Sequence, residues 1–127
     1  MPEKIDFGVG HSMPVHPDQM KRAEDFLEKV LACELLHRGE FYTTFRFPNG
    51  GIIGLTPSEK ALSESQYEHS TWLEIVSSDY KVTKQRIKEF GVTEVPSSDS
   101  DIYVFHIPGG AVLRLISEEM ARELSGS

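Results

Sequence analysis

The sequence predicts an α+β domain made of two βαβββ modules related by a pseudo-twofold, and three observations carry that reading. Residues 44–55 (TFRFPNGGIIGL) and 104–115 (VFHIPGGAVLRL) align without a gap at an offset of sixty. Phe45 falls on Phe105, Pro48 on Pro108, Gly50 on Gly110 and Leu55 on Leu115, while Phe47/Ile107, Ile52/Val112 and Ile53/Leu113 keep apolar character. The same offset places Met13 on Leu73 and Val15 on Ile75, at the ends of two earlier strand-like runs. Finally, each half has the same order of parts: a strand-like run, a helical pattern, an extended run and a tight hairpin. A repeated order of this kind says more about a fold than any single motif.

The first strand-like run spans Ile5 to Val15 and its counterpart Thr71 to Val76. A helix start is expected near Pro17 or Asp18, a proline and an acid suited to a first turn. Met20, Ala23, Phe26, Leu27, Val30 and Leu31 then follow the three-four spacing of one buried face. The second helix is expected from Ser78-Asp79 through Val82, Ile87 and Phe90, with Gly91 as its left-handed cap. Phe47-Pro48-Asn49-Gly50 and Ile107-Pro108-Gly109-Gly110 both put proline second and glycine near the end of a turn, between β-branched and aromatic flanks. The polar stretch from Thr56 to His69 separates the halves. It gives module one over 1–56, a linker over 57–69 and module two over 70–127 of a single domain. Ser117-Glu118-Glu119 caps a short terminal helix, with acids in its first turn.

At 127 residues the chain is long enough for one real core, and 39% hydrophobic with 26% charged residues is ordinary for a globular protein. Twenty acidic against 13 basic residues leave a net charge of −7. That surface repels phosphate backbones and anionic lipid, so neither nucleic acid nor a membrane is an expected partner. One cysteine, Cys33, rules out an intramolecular disulfide and suits a reducing compartment. The N-terminus does not read as a secretory signal, and no apolar run approaches the roughly 18 residues of a membrane span. A cytoplasmic protein is expected.

Strand parity indicates where a site would lie. Val9, His11, Met13 and Val15 share one face and should pack on the helices, while Gly8, Gly10, Ser12 and Pro14 share the other. In the second half Leu73 and Ile75 are the core set, and Ser70, Trp72 and Glu74 face away. With residue 46 paired near 52 and 106 near 112, the non-core face also receives Tyr42, Thr44, Arg46, Ile52 and Gly54, then Val104, His106, Val112 and Arg114. Trp72, Glu74, Arg114, Tyr42, Arg46, His106 and Ser12 are therefore the ligand-binding candidates. The same set also suits the wet side of a half-exposed sheet. Arg114 reads either as an anion clamp or as the partner of Glu74.

Two phrases carry a family resemblance. MPVHPDQMKRAEDFLEKVLACEL resembles the strand, turn and first helix of the vicinal oxygen chelate superfamily (glyoxalases, bleomycin-resistance proteins and extradiol dioxygenases). YVFHIPGGAVLRLI resembles its closing "YFxDPxGNxxEL" hairpin. The resemblance implies curved mixed sheets enclosing a cavity, with helices outside. It also implies a divalent metal held by His, Gln or Glu near the start of each module's first strand and the middle of each last strand. Here those positions fall near Gly10 and Ser70 and on Gly54 and Arg114. Glycine has no side-chain ligand, and arginine brings positive charge where a cation would sit. His11 and His69 lie one residue from the early positions, so a different register would supply two nitrogens, which is too few for a site.

The expectation is therefore a metal-independent, cofactor-free protein binding a small anionic or aromatic molecule between its modules. A metal-dependent lyase, isomerase or dioxygenase of the superfamily is the runner-up, and a regulatory or interaction domain with a filled cavity is the third reading. A homodimer is expected, because family members commonly brace their sheets across subunits and edge strands need cover. Cys33 reads as a small packed residue, His16 as exposed and His37 as loop. No phosphate loop, nucleophile elbow or other motif names a catalytic residue.

Overall fold

The computed structural model describes residues 3–126. Strands β1 (Gly10–Val15), β2 (Glu34–Arg38), β3 (Thr43–Arg46) and β4 (Ile52–Pro57) form one sheet in the order β1-β4-β3-β2. Strands β5 (Leu73–Ser77), β6 (Glu94–Val95), β7 (Tyr103–His106) and β8 (Val112–Ser117) form a second in the order β5-β8-β7-β6. In each sheet the first strand runs parallel to the last and the other pairs are antiparallel. The class is α+β, with two mixed sheets of the same topology and no closed barrel.

Helix α1 (Met20–Asp25) is preceded by a 3-10 turn over Pro17–Gln19 and continues into a π-helical turn over Phe26–Val30. The widened turn lets the Cys33 N–H reach the Leu27 carbonyl at 2.9 Å, and Ala32 takes the left-handed conformation at φ 57°. An L-residue there is disfavoured, and glycine is the usual occupant. Ala32→Gly is expected to raise stability by about 0.5–1 kcal/mol, the strain relieved less the entropy gained by the unfolded chain. Urea denaturation at matched slope would show it.

In helix α3 (Tyr80–Phe90) the Asp79 carboxylate accepts the Val82 N–H, and Gly91 ends the helix in the left-handed region. Helix α4 (Glu118–Ser125) is capped by the Ser117 hydroxyl, which accepts from Met120. The polar linker also contains a helix, α2 (Glu64–Tyr67). Ser63 and Gln66 cap it reciprocally, a signal the Ser-x-x-Gln spacing carries.

The hairpin registers match the expected ones: Arg46 pairs with Ile52 and His106 with Val112. The first strands need a correction. Met13 pairs with Leu55, but the residue that pairs with Leu115 is Ile75, so β1 and β5 correspond at an offset of sixty-two while the hairpins keep sixty. An even slip leaves every side chain on its face, so the parity argument survives. The residue beside Gly54 is then Ser12, and the one beside Arg114 is Glu74. The first strand also starts later than its alternation suggests. Ile5, Phe7 and Val9 precede it, 92%, 102% and 63% exposed.

One core takes the odd-numbered faces of both sheets. Met13, Val15, Phe45, Ile53 and Leu55 meet Phe105, Leu113 and Leu115 through Ala23, Phe26, Leu27, Val30 and Ile87. The Phe26 ring lies edge-on to Phe90 at 5.3 Å and to Phe105 at 5.8 Å. Arg22 donates to the carbonyls of Phe90 and Gly91 at the end of α3 and covers the Phe90 ring. The even-numbered faces are the sides turned away from this core.

Candidate functional site

Register places Glu74, Arg114 and Val104 side by side across β5, β8 and β7 on the even face of the second sheet. Arg114 Nη1 stands 3.6 Å from Glu74 Oε2, with the side chains 33% and 39% exposed. That is an ion pair, too long for a hydrogen bond. Among the described residues neither side chain hydrogen-bonds to anything else. Their even-face neighbours Val104, Val112 and Ile116 are buried, so the two charges rise from an apolar floor. Trp72 stands two residues ahead of Glu74, 40% exposed, and its Nε1–H donates to the Glu68 carbonyl at 3.0 Å.

His106 lies on the expected face but is fully buried. Its Nδ1 is 2.9 Å from the Gly110 carbonyl and its Nε2 is 3.0 Å from Glu68 Oε2. A carbonyl only accepts, so Nδ1 is the donor, and no ring nitrogen is left for a ligand. Both ring nitrogens of this candidate are thus engaged within the protein. The histidine clips the linker helix to the second hairpin, a task shared by Glu64, which accepts from the Gly109 N–H at 2.8 Å and the Thr93 hydroxyl at 2.6 Å.

The other candidates belong to the first sheet, and none bonds to the second. Ser12 is exposed beside Gly54. Arg46 pairs with Glu34 across β3 and β2. Tyr42 is exposed just ahead of β3, its ring 5.0 Å from that of His37, which lies in β2 and not in a loop. His16 is partly covered, and its Nδ1 accepts the Asp18 N–H.

The residues do not fit a metal. Opposite the two last-strand positions stand a serine hydroxyl and one carboxylate already paired with a guanidinium. His11 is exposed on the odd face, and His69 is exposed in the turn after α2. Among the described residues no three His, Cys, Asp or Glu side chains gather closely enough to hold a cation, and a bound divalent ion needs such a set.

Burial pushes the Cys33 thiol up to about 12. Folded protein is therefore expected to resist thiol reagents at pH 8 and to react fully once unfolded, because the thiolate is the nucleophile. Rapid labelling of the native state would contradict the packing. Two hollows lie elsewhere. One of about 330 Å³ runs between α3 and residues 94–104, and one of about 280 Å³ is lined by His16, Gln19, Leu62, Ser63, Glu64 and Gly109. The Glu74–Arg114 pair lines neither.

No protein-family model matches the sequence, and no curated protein matches it. Solved structures do. The trypanothione-dependent glyoxalase I of Leishmania major superposes with a TM-score of 0.71 at 17% identity, covering 93% of this chain and 91% of that one. TnmS3, an antibiotic binding protein from Streptomyces sp. CB03234, gives 0.66 at 18% identity over 91% and 98%. The fosfomycin resistance protein FosX from Mesorhizobium loti gives 0.67 at 13% identity over 98% and 99%. At such identities the likeness is one of fold.

Proposed function

The chain has the vicinal oxygen chelate fold of glyoxalases and antibiotic-resistance proteins, and we propose that it binds a small molecule on the even face of its second sheet, without a metal. The observation that carries this is the Glu74–Arg114 pair, unbonded to any other side chain, above buried Val104, Val112 and Ile116. Partly exposed donors and acceptors close to an aromatic residue in sequence are groups that can orient a ligand. A structurally similar protein is an antibiotic binding protein, which supports binding as a use of this fold; fold alone does not decide function.

We propose a homodimer as well. β1 and β2 are the edges of one sheet and β5 and β6 of the other, the apolar side chains of Ile5 and Phe7 are uncovered, and such features favour pairing with a second copy. In that assembly Ser12, Tyr42 and Arg46 would complete the site from the facing module. No helix among the described residues is long and apolar enough to cross a membrane. The single buried cysteine supports a cytoplasmic setting.

The test is a fragment titration of chelator-treated protein followed by nuclear magnetic resonance. Ligands should move the signals of Trp72 and Arg114, and Arg114→Met should abolish binding. The same change should alter stability by less than about 1 kcal/mol, because a pair one-third exposed is well screened. Binding that appears only with added zinc, nickel or manganese would overturn the metal-free reading. A second reading has its own observation: burial of His106, Val104, Val112 and Ile116 means much of this face is already filled, as in a regulatory or interaction domain. It predicts that no fragment binds there.

A further inference from the structure

We propose that the part of the ligand recognised by Glu74 and Arg114 is a neutral, planar ring lactam, whose carbonyl accepts from Arg114 while its N–H donates to Glu74. This rests on the binding reading above and names the chemistry of that site.

The argument begins with the gap. At 3.6 Å the two side chains hold each other electrostatically but leave their hydrogen-bonding capacity unused. A guanidinium is donor-only and a carboxylate acceptor-only, so the pair presents one donor edge and one acceptor edge, side by side. From amide bond lengths, a lactam's oxygen and nitrogen lie about 2.3 Å apart. Two ordinary hydrogen bonds of about 2.9 Å then close a ring across the gap without moving either side chain far.

Charged ligands fit worse. An anion that takes Arg114 deprives Glu74 of its countercharge and adds a second negative charge beside it. A cation that takes Glu74 does the same to Arg114. Each side chain is about one-third exposed in the free protein, but a ligand lying over the pair excludes that water, and a charge left uncompensated beneath it is then poorly solvated. A neutral ligand leaves the pair balanced, and the net charge of −7 further disfavours anions. Trp72 supplies the remaining element. Its indole N–H is already taken by the Glu68 carbonyl, so what it offers is a ring face. Trp72 immediately precedes β5, two residues before Glu74, and two residues of chain span at most about 7 Å, within reach of a fused bicyclic ring lying over the pair.

Trp72 is the sole tryptophan, so its indole N–H gives one resonance to follow. Four probes decide the matter: quinazolinone, its form methylated at the lactam nitrogen, naphthoate and naphthylmethylammonium. Quinazolinone is expected to bind most tightly, and N-methylation to weaken it about tenfold or more by removing the donor to Glu74. Glu74→Leu and Arg114→Met, checked as folded by their backbone spectra, should each weaken quinazolinone by a similar factor. Glu74→Leu should improve naphthoate, since Arg114 is then free. Tighter binding of naphthoate or of the ammonium to the unmodified protein, or no loss on N-methylation, overturns the lactam while leaving a ligand site in place. Silence of the indole signal toward all four probes and the fragment set overturns both.

Discussion

Phe26→Ala is expected to lower stability by about 3–5 kcal/mol, the range for emptying a fully buried aromatic site. Phe26 is completely buried and belongs to the π-helical turn that ends the first helix. Its ring meets Phe90 of α3 and Phe105 of β7 edge-on, so one side chain joins a helix of the first half to a helix and a strand of the second. Truncation removes apolar burial, two aromatic contacts and the filler of a space walled by Phe90 of α3 and Phe105 of β7. Domains commonly have about 5–15 kcal/mol in total, so the variant should be close to unfolding at physiological temperature. Chemical denaturation checks it, with Val82→Ala as the control: Val82 is half exposed on α3 and should change little. A loss below about 1.5 kcal/mol for Phe26→Ala would mean that the halves do not share the core described. Hydrogen exchange offers a second view, since both sheets should lose protection together.

Much of this architecture was legible because hairpins repeat their chemistry. Proline and glycine at fixed places in Phe47–Gly50 and Ile107–Gly110 fixed two turns, and the turns fixed the pairings Arg46–Ile52 and His106–Val112. The first strands lacked such an anchor. An apolar alternation can slide by two residues without changing face, which is how Met13 came to be set against Leu73 when its counterpart is Ile75. Alternation also continues back to Ile5, but pairing does not: Gly10 already lies opposite Ile52, the first residue of β4. A strand ends where its neighbour does, and the neighbour lies forty residues away in sequence.

The candidate site divides in the same way. Glu74 and Arg114 could be set side by side by parity and register alone, and the structure pairs them. The type of residue at Gly54 and Arg114 was enough to argue against metal ligation. The burial of His106 was not legible, because its environment is made by Glu68, in a linker whose polarity suggests no structure. Polar sequence hides a helix when its contacts are carboxylates accepting from a distant hairpin, since no apolar period announces them.

That hairpin is where the second large effect is expected. Gly109→Ala should destabilise the protein by about 2–4 kcal/mol, combining left-handed backbone strain with overpacking. Gly109 sits at φ 71°, and a methyl group there would lie 2.5 Å from Cβ and 2.7 Å from Cγ of Gln19. Gln19 Cβ is bound to backbone at the junction of the 3-10 turn with α1, so it cannot swing aside as the end of a long side chain could. Val15 Cγ1 closes the other side at 3.5 Å. The hairpin would have to lift from the first half, loosening the Gly109 N–H bond to Glu64 and the His106 bond to Glu68. Gly50→Ala in the first hairpin separates the two causes. Gly50 also has positive φ, at 98°, but a methyl group there meets nothing within 4 Å, so it should show the strain of about 1–2 kcal/mol alone. Measured side by side by denaturation, the difference between the variants reports the contact with Gln19. If Gly109→Ala proves no worse than Gly50→Ala, the second hairpin does not dock on the first half as the structure places it.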